Sequence, residues 1–241
     1  MIMRKTGKII LLLVCFMFLI AGQVWAAERE YDVVRANGSV TREVAPDTAF
    51  VNVGVTTQGK TAEEARSANS EIVNNVVASL ENMGIGKEDV KTVGYNLYPE
   101  YSDAAKGKRI ITGYSMSYSL NVKVENLDKI GAVIDQMFAD GANTFNGVTF
   151  TVSNRKELER EMLALAVKNA EEKAGIVANA GGRTLGKLVA ANIGSVGGMD
   201  YSDSNYETIA LYKSAAGSAP TKIMAGNLKV SADIDAAFEL L

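Results

Sequence analysis

Fifteen consecutive residues set the tightest limit on what this chain can fold into. From 110 to 124 the sequence reads IITGYSMSYSLNVKV. Ile110, Thr112, Tyr114, Met116, Tyr118, Leu120, Val122 and Val124 fall on one side at period two, with Ile111, Gly113, Ser115, Ser117, Ser119, Asn121 and Lys123 on the other. Side chains of a strand point alternately to opposite faces, so this is a long strand with one buried face and one small, polar face. Just upstream, Val93, Tyr95 and Leu97 alternate and end at Pro99, and the polar loop SDAAKGK separates the two runs. That layout predicts an antiparallel hairpin.

The remaining segments build around that hairpin. Val34, Ala36, Gly38 and Val40 alternate, as do Ala49, Val51, Val53 and Val55, which predicts two half-buried strands joined by a short turn at Pro46-Asp47. Thr61 and Glu64 form a capping box ahead of an apolar stripe (Ala62, Ala65, Asn69, Ile72, Val73, Val76, Leu80, Met83), and Gly84 and Gly86 stop that helix. A second helix has Leu127, Ile130, Ile134, Met137 and Phe138 inward and Gly141 at its end. GVTFTVS is a short strand. Asn154 with Glu157 predicts another capping box, opening a helix to about Ala180 with an inner stripe of Leu158, Met162, Leu165, Ala166, Ala170, Ala174 and Val177. A strand near Leu185 to Ile193, a mobile loop over 194–220, and a final strand from Met224 to Ile234 complete the chain. The order ββαββαβαββ, without a Gly-rich strand–helix turn, predicts an α+β fold of mostly antiparallel sheets with packed helices.

The first 26 residues are set apart from that fold. Arg4, Lys5 and Lys8 precede an apolar run from Ile9 to Ile20, and Val24-Trp25-Ala26 leads into Ala27. This is the three-part layout of a secretory signal peptide cut near Ala26/Ala27, with a retained N-terminal anchor as the alternative. The run is too short to span a bilayer, which takes about 20 residues, so no membrane span is expected in the mature chain. Residues 27–241 are read as one domain, with a division into two α+β subdomains left open. The expected location is periplasmic or secreted.

Composition narrows the chemistry. The one cysteine, Cys15, lies in the leader, so the mature chain forms no disulfide. Loss of three basic residues takes the net charge from −3 to −6, which argues against a nucleic-acid partner, since phosphate contacts need clustered positive charge. The chain has no histidine. That removes Ser-His and Cys-His nucleophile pairs and the commonest zinc ligand. No cofactor, no metal and no catalytic residue is expected; carboxylate chemistry and Ser-Lys chemistry remain formally open.

Six stretches in order resemble the SIMPL-domain family of exported bacterial proteins. They are the G-x-V…P-D-x-A-x-V run at 38–51, the TAEEA helix start at 61–65, GIGKEDVKTVGYNLYPEY, ITGYSMSYSLNVKVENLDKIGAVID, GANTFNGVTFTVSN and AVKNAEEKA, closing towards residue 238. The resemblance implies an exported α+β protein of the periplasmic immunogenic antigen type, associated with defence against oxidative stress, some members of which assemble into rings. It supplies no catalytic residues. The 194–220 loop matches nothing in that pattern.

Asp47 after Pro46 is read as a turn aspartate, and Gly38 and Gly54 as bulges or close backbone approaches. Asp200, Asp203 and Glu207 lack the spacing of a calcium loop. Glu157 and Glu161 are interleaved with Lys156 and Arg160 and read as a solvated helix face. Tyr95, Tyr98, Tyr101, Tyr114 and Tyr118 gather on the hairpin as core, interface or ligand wall. Tyr95, Tyr114, Tyr118, Ser117 and Ala170 are the candidate ligand or interface residues. The methionines are read as packing, Met199 excepted. The leading reading is a non-enzymatic, self-assembling homo-oligomer contributing to envelope or oxidative stress tolerance. The alternatives are a small-ligand-binding protein with a pocket near the tyrosines, and an enzyme of unassigned chemistry. Expressed with its own leader, the protein is expected in the periplasmic fraction with Ala27 as its first residue by N-terminal sequencing; an exported chain that still begins at Met1 contradicts this.

Overall fold

A computed structural model describes residues 32–104, 108–201 and 220–241. Its elements in chain order are β1 (Val33–Val44), β2 (Thr48–Gly59), α1 (Ala62–Asn82), β3 (Val90–Ala104), β4 (Lys108–Val124), α2 (Ile130–Ala139), β5 (Thr144–Thr151), α3 (Arg155–Ala180), β6 (Leu185–Tyr201) and β7 (Leu228–Leu240). They form two antiparallel sheets. One has the order β3-β4-β2-β5 and the other β1-β7-β6.

The two sheets repeat one motif. In the first, β2 is followed by helix α1 and then by the hairpin β3–β4, whose second strand returns beside β2. In the second, β1 is completed by helix α3 and the hairpin β6–β7, whose second strand returns beside β1. Each is a βαββ unit, and the first is inserted whole between β1 and α3 of the second. The Pro46-Asp47 turn therefore does not close a hairpin. It passes the chain from one sheet to the other.

Local chemistry explains the helices. Thr61 caps α1 as a capping box: its side chain accepts from the Glu64 N–H, and Glu64 accepts from the N–H groups of Lys60 and Thr61. The inner stripe Ala65, Asn69, Val73, Val76, Leu80 is buried on β2 and β4 with Val51, Val53, Val55, Leu120 and Val122. Ile134 and Met137 of α2 join the same core, and full burial of such side chains contributes about 2 kcal/mol each. Asn69 is the buried polar exception. Its amide donates to the carbonyls of Val55 (2.8 Å) and Met116 (3.3 Å), tying α1 to the sheet.

Helix α3 departs from the predicted stripe. The buried residues are Leu158, Met162, Ala166, Ala170, Ala174 and Ala178, whereas Leu165 and Val177 are exposed. A strict four-residue step drifts around an α-helix, and small side chains let the sheet follow that drift closely. Gly38 sits under the stripe: a Cβ there would collide with the carbonyl oxygen of Ala166 and with the Ala170 side chain. The Asn154–Glu157 capping box does not form, since Asn154 makes no side-chain cap.

Three strand boundaries also differ. β3 runs through Pro99 to Ala104, because it is an edge strand and a missing N–H on its outer side costs no ladder bond. Val93, Tyr95 and Leu97 on it are exposed. β6 continues past Ile193 to Tyr201, so the first eight residues of the predicted 194–220 loop are strand. Its glycines accommodate register shifts around Val196, with Gly197 at φ 73°. β7 begins at Leu228, four residues later than read, and Met224 is 83% exposed. Residues 1–31, over which the leader is expected, 105–107 and 202–219 lie outside the described residues.

Replacing Gly38 by alanine is expected to lower unfolding free energy by about 3 kcal/mol, since backbone rather than a movable side chain blocks the added methyl. Urea denaturation followed by circular dichroism measures it.

Candidate functional site

Both βαββ units leave the same place bare. α1 lies mainly across β2 and β4, and α3 mainly across β1 and β7. The third strand of each unit, β3 or β6, is thus an edge whose helix-side residues have little above them. On β3, Tyr95 and Leu97 stand opposite Tyr118 and Met116 and are 57% and 41% exposed. On β6, Leu188 and Ile193 stand opposite Phe238 and Ile234 and are 43% and 57% exposed. Their partners on the neighbouring strands are buried or half-buried. Apolar edges of this kind are templates for another chain, and proteins normally blunt them.

The outer edge of β1 is blunted. Asn169 of α3 accepts from the Ser39 N–H (3.2 Å), and Lys173 donates to the Asn37 carbonyl (2.9 Å). Arg42 pairs with Glu161 at 2.9 Å. Glu161, read as part of a solvated helix face, is exposed there and also reaches Arg42 of β1.

The candidate residues do not converge on one site. Tyr95 and Tyr118 pack edge to face with centroids 5.5 Å apart, and the Tyr118 hydroxyl is 2.7 Å from Thr92 Oγ1. Tyr114 is half-buried further along β4, opposite Pro99 and Gly59. Ser117 lies on the opposite sheet face, between Thr56 and Asn96. Ala170 belongs to the other unit, fully buried with Val34, Ala236 and Phe238. Its small size serves packing within the chain and leaves it no surface to offer a second copy. Sequence reasoning missed Leu188 and Ile193. Five residues apart, they fall on opposite faces at period two, and only the register shift between Leu188 and Ala190 brings both to the helix side.

A depression of about 390 Å³ lies away from the tyrosines. It is lined by Arg35, Asn37, Asn192 and Asp235 with alanines of β1, β6 and β7. Asn37 donates to Asp235 (3.1 Å), and nearby Ser195 donates to Asp233 (3.0 Å). Hydrogen bonds from Ser39 and Ser195 hold the Asp233 carboxyl below its ordinary value. Among the described residues, no three His, Cys, Asp or Glu side chains are grouped so as to hold a metal ion. Asp203 and Glu207 lie outside the described residues.

Asp47 is a junction. Its Oδ1 accepts from the Ser153 N–H (2.7 Å) and Thr48 hydroxyl (2.8 Å), its Oδ2 accepts from the Ser153 hydroxyl (2.7 Å), and its N–H donates to the Thr151 carbonyl (3.2 Å). The residue thereby joins the two crossings between the units, β1 to β2 and β5 to α3. Slight desolvation pushes its carboxyl up, but the bonds from Ser153 and Thr48 outweigh this and hold it below its ordinary value.

A scaffold of two nested βαββ units, its polar side chains engaged in strand, helix and junction contacts, defines an α+β protein with open sheet edges. The chain belongs to the SIMPL family, described as protein of unknown function DUF541, which it matches over residues 34–238. It is 35% identical over 173 residues to the 26 kDa periplasmic immunogenic protein of Brucella melitensis, covering 68% of this chain and 69% of that one. It is 26% identical over 171 residues to the uncharacterized protein YggE of Escherichia coli K12, covering 71% and 66%. Among the described residues no helix is long and apolar enough to cross a membrane.

A carboxyl held low in the folded state contributes stability that is present above its unfolded value and lost as pH falls through its folded value. Asp47→Ala is therefore expected to lower stability at neutral pH, by no more than about 1 kcal/mol because the residue is exposed and solvent weakens its bonds. The gap to the wild type should narrow as pH falls into the acid range and the wild-type carboxyl protonates. Urea midpoints across pH measure both.

Proposed function

We propose that this chain is a non-enzymatic exported protein of the bacterial envelope that assembles with copies of itself and contributes to envelope or oxidative stress tolerance. The observation that carries the assembly is the pair of bare edges, Tyr95 and Leu97 on β3 and Leu188 and Ile193 on β6, at equivalent places in two nested units. Because the two edges differ in sequence, joining β3 of one copy to β6 of the next is a head-to-tail contact. Such contacts close into rings when the rotation permits. Export is supported by the leader pattern at 1–26 and by the word periplasmic in the name of the Brucella relative.

Support for the non-enzymatic part comes from sequence: the chain has no histidine, and its one cysteine stands in the leader. The stress role rests on the family resemblance, joined by one structural fact. Met116, Met137 and Met162 are at most 1% exposed, whereas Met224 is 83% exposed and its thioether is open to oxidants.

The purified mature protein is expected to be oligomeric by light scattering, through an interface of at least about 1,200 Å². Leu97→Lys and Ile193→Lys should each shift it towards the monomer with an unchanged circular dichroism spectrum. A wild-type chain that stays monomeric at high micromolar concentration removes the proposal.

A further inference from the structure

The two units also touch away from their two crossings, through the segment that precedes β7. Thr221 lies against helix α2 of the inserted unit. Its N–H donates to Asp135 Oδ2 at 3.0 Å, and its hydroxyl donates to Asp135 Oδ1. Its carbonyl oxygen occupies the space above Gly131, where a Cβ would collide with it. Two residues on, Ile223 packs against the core beneath α1 and α2. Five residues after that, β7 begins in the other sheet.

We propose that residues 220–223 form a latch: a strap that closes on α2 and holds the inserted unit to the outer one, and that opens locally without unfolding either. Three features carry this. Glycine within a helix is costly relative to alanine, yet Gly131 sits in the first turn of α2 with no turn or cap to justify it. The close approach of the Thr221 backbone does. Asp135 stands one turn along from Gly131, and its carboxylate receives both donors of the same threonine. Between the docked Thr221 and the docked Ile223, Lys222 is exposed. The strap is held by one carboxylate, one glycine notch and one apolar side chain, with no strand or helix hydrogen bonding of its own. Segments held by so few contacts open at much lower free energy than the sheets they join.

Lys222 supplies the test, because trypsin cuts after lysine only where several flanking residues leave the fold. The purified mature protein is digested under native conditions and cleavage after Lys222, Lys168 and Lys173 is timed by mass spectrometry. Gly131→Ala improves helix propensity while filling the notch, and Asp135→Ala removes both acceptors, so the two variants evict the strap by different routes. Each is expected to speed cleavage after Lys222 by about tenfold or more, leaving cleavage after Lys168 and Lys173 in α3 and the circular dichroism spectrum unchanged. The latch is overturned if the wild type is cut after Lys222 as fast as the variants, since the strap would then be open already. It is equally overturned if cleavage within α3 rises in step, since the contact would then be part of the global core. Light scattering on the same variants separates this result from the assembly proposal, which needs no change at α2.

Discussion

The fold depends on the pairing of β1 with β7. These strands come from opposite ends of the domain, with Asn37 and Ile234 separated by 197 positions, yet they pair without a break from Val33–Glu239 to Val44–Leu228. Closing so long a loop costs chain entropy that no local interaction offsets. The offset comes from α3, which lies across both strands at the distance that the Ala166–Ala170–Ala174 stripe and Gly38 permit. Small residues here replace the bulk of ordinary core side chains with close approach of one backbone to another. An inserted unit of about half the domain can then hang from the two crossings at Asp47 and Ser153, provided the outer unit is shut around it. Folding with so many distant contacts is expected to be slow relative to a helical protein of this size.

Division into two units with one motif has a consequence for surfaces. A single helix covers about two strands, so each βαββ unit leaves its third strand partly bare on its apolar face. Both units show it, on β3 and on β6, while side chains from α3 shield the outer edge of β1. The contrast between a guarded edge and two unguarded ones is a property of the pattern, and it is the physical basis for expecting contacts between copies.

Much of this was readable from the chain. The β4 alternation, the Thr61–Glu64 capping box and the glycines that end α1 and α2 are local matters, decided by side-chain direction, hydrogen bonds within one turn and permitted backbone angles. The errors share a different cause. Leu165 and Val177 were placed inward because a wide apolar stripe was assumed, whereas α3 meets its sheet along a narrow line of alanines. Residues 194–201 read as loop because glycine and serine dominate them, but pairing with β7 overrides weak propensity. Met224 read as core because its neighbours alternate, though no partner strand lies beside it. Among the candidate residues, Tyr95 does lie on an exposed edge, whereas Ala170 is spent on internal packing.

By itself, then, the sequence determined the secondary-structure types, the absence of histidine and of cysteine outside the leader pattern, and the membership of a family. Each of these is settled by residues near one another or by simple inventory. Only the tertiary structure decided that one βαββ unit sits inside another, which strands are left uncovered, and why a helix keeps Gly131. Those outcomes follow from which distant segments meet, and such meetings are selected by the free energy of the whole packed assembly of strands and helices. No window of neighbouring residues carries that sum.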